Sequence, residues 1–71
     1  MDVAEKEKLK ILLNHWVKHN SEHAQGFSEW AEKAKSAGYS EVHDEIMQAV
    51  QQMNKANEFL LKASEILKAK T

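Results

Sequence analysis

Residues 9–34 read LKILLNHWVKHNSEHAQGFSEWAEKA. Within this stretch Leu9, Leu13, Trp16, Asn20, His23, Phe27, Trp30 and Ala34 recur at alternating steps of four and three. That rhythm is the heptad signature of a helix packed along its length. Upstream, Asp2 is placed to cap the helix, with Glu5 three residues later completing a capping-box pattern. Downstream, Lys33 and Lys35 suit the negative end of the helix dipole, and Gly38 suits a left-handed helix-ending residue. The spacing predicts a first helix over about residues 3–37.

Gly26 is the weak point inside that helix. Gln25-Gly26-Phe27-Ser28 offers a break, with Ser28 capping a separate short helix and the chain then folding as a three-helix bundle. A mid-helix glycine costs only about 1 kcal/mol relative to alanine. The seam also passes through His23, Phe27 and Trp30 without a change of phase. A continuous helix is therefore expected, with the broken form as the alternative.

The second half repeats the logic. Ser40 is an N-cap residue type followed by Glu41, Asp44 and Glu45, the charges that favour a helix start. Its seam runs Val42, Ile46, Ala49, Met53, Asn57 (beside Ala56), Leu60, Ser64 (beside Ala63) and Leu67, predicting a helix over about residues 40–69. The short connection from Gly38 to Ser40 forces the two helices to be antiparallel neighbours. Proline is absent, glycine occurs twice and alanine nine times, which agrees with an all-α hairpin and excludes a strand-rich fold. Residues 1–71 are read as one helical domain.

At 71 residues a single core is marginal without reinforcement. Cysteine is absent, so neither disulfides nor thiolate metal sites are available. The ten basic and eleven acidic residues alternate along the chain, giving a formal charge of −1. No basic stripe marks a nucleic-acid binder, and no apolar run is long enough for a membrane span or a secretory leader. Neither nucleic acid nor membrane is expected as a partner, and a cytoplasmic location is the default.

Assembly is the remaining source of stability. The apolar arcs are wider than one helix–helix contact needs: Leu12 and Trp30 flank the first seam on one side, Val17 and Ala31 on the other. Val50 and Leu61, and then Phe59 and Ile66, widen the second. Stripes this broad belong to helices that touch more than one neighbour. A homodimer closing a four-helix bundle is the first expectation, and docking onto another helical protein the second.

Two polar features interrupt the seam. His15, His19 and His23, four residues apart, form a ladder along one flank, and imidazoles at such spacing can share an ion. The ladder gives the alternative functional reading, a site for a divalent transition metal of the zinc, nickel or cobalt type. Two or three nitrogens per chain are too few to close a four-coordinate site, and no carboxylate–histidine motif accompanies them. The bland reading makes His15 and His19 surface residues and His23 a core histidine. Hairpin geometry also sets Asn20 opposite Asn57 and His23 opposite Asn54, predicting a polar layer of those four side chains that fixes register. His43 is expected on the surface, and Met47 and Met53 as core fillers.

The run Leu13-Asn14-His15-Trp16, followed by His19-Asn20, His23, Phe27, Trp30-Ala31 and Gly38, resembles a pattern in short uncharacterised helical domains of bacteria and archaea. The resemblance spans most of the chain, roughly Leu9 to Leu67, and implies the helical fold but no activity. No phosphate loop or nucleophile–base pair points to an enzyme. The functional expectation is a small helical interaction or assembly module, with metal binding through the ladder as the alternative.

Overall fold

The computed structural model describes residues 1–70, which form two helices, α1 (Val3–Ser36) and α2 (Ser40–Ala69), folded back on each other. The antiparallel pair measures 53 × 15 × 13 Å. Asp2 caps α1 as its sequence suggests, its carboxylate accepting from the Glu5 backbone N–H at 2.8 Å. α1 runs unbroken through Gly26, so the three-helix alternative is corrected to a two-helix hairpin. The flanking turns supply helical hydrogen bonding and packing, which outweigh the glycine's small propensity cost.

The turn is set by the end of α1, one residue earlier than the predicted boundary. Gly38 adopts φ 94°. The Gly38 N–H donates to the Lys35 carbonyl at 3.0 Å and the Tyr39 N–H to the Ala34 carbonyl at 2.9 Å. This is the Schellman closure, which needs a left-handed residue and so favours glycine. Tyr39, which closes α1, also occupies the cap position of α2 and makes no side-chain capping bond there. Ser40, expected to cap α2, is instead its first helical residue.

The contact seam differs from the predicted one by a rotation. On α1 the residues turned towards α2 are Leu13, Val17, Asn20, Ala24, Ser28 and Ala31; on α2 they are Ile46, Val50, Met53, Asn57, Leu60, Ser64 and Leu67. Half of the predicted seam on α1 is therefore displaced by one residue, and two positions of the one on α2. The column Lys10–Val17–Ala24–Ala31 takes the place assigned to Leu9–Trp16–His23–Trp30. In α2, His43 and Val50 take the places of Val42 and Ala49, while Asn57 and Ser64 lie in the seam as expected. Size explains the choice: Ala24 and Ala31 let the backbones approach, and a tryptophan in that column would hold them apart. The resulting core is thin. Its buried apolar residues are Leu13, Ala24, Ala31 and Val50, while Trp16 and Phe27 are each 39% exposed and Trp30 is 65% exposed.

Candidate functional site

Three features concentrate polar or exposed aromatic chemistry: the asparagine layer, the histidine ladder and one open side of the hairpin.

The layer is smaller than predicted and fully bonded. Asn20 donates from Nδ2 to Oδ1 of Asn57 at 3.1 Å. Asn57 in turn donates from Nδ2 to the Val17 carbonyl at 3.2 Å and to Ser21 Oγ at 3.1 Å. Its acceptor and both donors are used, which is what allows this amide to sit buried between the helices. His23 and Asn54, assigned to the same layer, are both exposed. The rotation of the seam carries them out of it, and Ser21 enters instead. Ser21 escaped notice because it lies off the heptad rhythm.

Nearer the turn, His43 lies between Glu32 of α1, at 3.4 Å, and its neighbour Asp44, at 3.0 Å. Expected on the surface, it is half-buried and bridges the two helices beside the loop.

The ladder is ordered by its own rings. His15 stacks on His19 with centroids 5.8 Å apart and planes at 11°. His19 meets His23 edge-on at 4.4 Å, and His23 meets Phe27 edge-on at 6.0 Å. The Nε2 atoms of His19 and His23 are 3.1 Å apart, a hydrogen bond in which one imidazole donates and a neutral one accepts. These two Nε2 atoms are thus engaged with each other. Among the described residues no group of three or more His, Cys, Asp or Glu side chains could hold a metal ion. The expected transition-metal cofactor is corrected accordingly: His15, His19 and His23 form a ring stack leading to Phe27, with no carboxylate or further imidazole arranged to complete a coordination shell.

That stack borders the open side. His19, Glu22, His23, Gly26, Phe27 and Trp30 line an open groove of about 440 Å³. Phe27 and Trp30 also line a second one of about 370 Å³ with Ile46 and Ala49 of α2. The two grooves share their aromatics, so the surface is continuous from α1 to α2. Its origin lies in the rotation described above. With about 100° per residue, a column one position earlier than the contact column is swung to the side, and in antiparallel helices both such columns swing to the same side. Leu9–Trp16–His23–Trp30 and Val42–Ala49–Ala56–Ala63 therefore share one face of the hairpin. Phe27, Ile46, Met53, Leu60 and Leu67 lie along its midline, and the ammonium of Lys33 sits 4.2 Å from the Trp30 ring centroid at its edge. The opposite face carries Asn14, Ser21 and Ser28 from α1 and Gln51, Asn54 and Glu58 from α2, interrupted by Met47 and Leu61. Sequence reading found the residues of the open face but took them for the helix–helix contact.

Residues 9–67 match a family model described as "Domain of unknown function (DUF8180)". The chain belongs to this family. The DUF8180 region takes in the ladder, the asparagine layer, the turn and the open face, and leaves out the N-cap with the first turns of α1 and the last residues of α2. A protein of Archaeoglobus fulgidus, described only as "Uncharacterized protein", is 36% identical over 61 residues, covering 86% of this chain and 97% of that protein. No solved structure matches the chain at a significant level. Among the described residues, no helix is long and apolar enough to cross a membrane.

Proposed function

We propose that this DUF8180 hairpin is an assembly module, one half of a helical bundle whose open face is completed by helices from another polypeptide. One observation carries the reading. The apolar stripes of both helices are turned away from the line joining them and towards the same side, leaving Trp16, Phe27, Trp30 and Val42 partly or largely exposed. Two helices that formed a finished unit would aim their stripes at each other. In a four-helix bundle each stripe aims at the bundle axis, between two neighbours, as here. The bonded asparagine layer supports the same role, since a satisfied polar layer fixes register and a rigid register is what a docking face requires. The reading assigns no catalysis to the chain.

The test is the mass of the purified chain by light scattering, from low micromolar to millimolar concentration. Association is expected, and Trp30→Glu is expected to weaken it by at least about tenfold while preserving helix content, because a charge would be buried unpaired. A monomer at millimolar concentration, whose melting is indifferent to Trp30→Glu, would contradict the proposal.

A further inference from the structure

The open face is asymmetric in a way that identifies its occupant. On α1 its outer column holds large side chains, Leu9, Trp16, His23 and Trp30; on α2 the equivalent column starts with Val42 and then holds only Ala49, Ala56 and Ala63. A surface with bulk on one half and hollows on the other is complementary to itself after a half-turn. We infer that the face is covered by a second copy of this chain, with α1 of each copy lying antiparallel on α2 of the other, about a two-fold axis parallel to the helices. The inference rests on the assembly reading and specifies its partner.

The register follows from the hairpin itself. An axis parallel to the helices leaves every residue at its own height. The heights are fixed by the contacts between Asn20 and Asn57 and between Glu32 and His43. At those heights Trp30 comes within about one turn of the partner's Ala49, His23 of the partner's Ala56, and Trp16 of the partner's Ala63. Each large side chain thus has an alanine hollow of the partner within about a turn to lean into, the alternation that close packing between helices requires. Charges at the rim agree: Lys33, already at the edge of the face beside Trp30, comes level with the partner's Glu45, and Glu22 with the partner's Lys55. The other two-fold arrangement, α1 on α1, sets the column of Trp16, His23 and Trp30 against itself, bulk on bulk. It lacks the match of bulk to hollow.

The chain has no cysteine of its own, so cross-linking reads the arrangement directly. His23→Cys and Ala56→Cys chains are co-refolded in equal amounts and treated with a short bismaleimide. Lys33→Cys with Glu45→Cys provides a second pair at exposed positions. In each mixture, cross-linking between the two different variants is expected about a hundredfold faster than in either variant alone, as an effective concentration in the millimolar range implies. A dimer that links His23→Cys to itself, or that links neither mixed pair, overturns the arrangement while leaving the bundle reading intact. A chain that is monomeric by light scattering at the same concentration overturns self-assembly altogether.

Discussion

Ala31 and Trp30 are neighbours in sequence, yet one is fully buried and the other is 65% exposed. They stand for two columns of the same helix. The column facing α2 contains Val17, Ala24 and Ala31, and the column beside it contains Trp16, His23 and Trp30. A hairpin built to stand alone would reverse them, since each buried aromatic removes about 150–250 Å² from water. The inner column sets how closely α1 and α2 approach. The outer column holds the larger hydrophobic area and stays largely or partly open to solvent.

The contrast can be broken from its inner side. Ala31→Leu inserts a branched side chain where two backbones meet, and is expected to cost the hairpin about 1–3 kcal/mol or more. Thermal unfolding followed by circular dichroism measures it, and an unchanged midpoint would mean that small residues do not set the spacing. Of similar size is the expected effect of Asn57→Ala, which strips Asn20 of its acceptor and Val17 and Ser21 of a donor. A loss of about 1–3 kcal/mol is expected in urea unfolding. Replacing Asn20 and Asn57 together by leucine is expected to recover the stability and lose the single register, giving more amide NMR signals than residues.

The two glycines sharpen the comparison at the smallest scale. Gly38→Ala forces a Cβ into the left-handed region and is expected to destabilise by about 1 kcal/mol. At Gly26 a Cβ would meet nothing within 4 Å, so Gly26→Ala is expected to stabilise α1 by up to about 1 kcal/mol. Opposite shifts of the melting midpoint, each a few degrees, are the expected result.

Much of this was legible in the sequence. The rhythm through Leu13, Asn20 and Phe27, with Gly38 as a stop, gives both helices and the hairpin, because local periodicity and turn chemistry are encoded by neighbours in the chain. The pairing of Asn20 with Asn57 follows from the length of the connection. What periodicity does not encode is the rotation of one helix against the other. A broad stripe fits two seams one residue apart, and the choice between them depends on how closely the backbones pack at Ala24 and Ala31. That choice moved His23 from the core to the open face and left Asn54 exposed. Ladder spacing likewise shows that three imidazoles are close without showing where their nitrogens point; His19 and His23 point at each other.

The half-bundle is tested most directly at Trp30. In a Trp16→Phe chain, Trp30 is the sole tryptophan, and its emission and iodide quenching report whether the open face is covered. Blue-shifted, protected emission at high concentration that becomes red and quenchable on dilution is the predicted result. Emission from a water-exposed, freely quenched Trp30 at every concentration, in a chain that stays helical, would contradict the claim that this face is built to be covered.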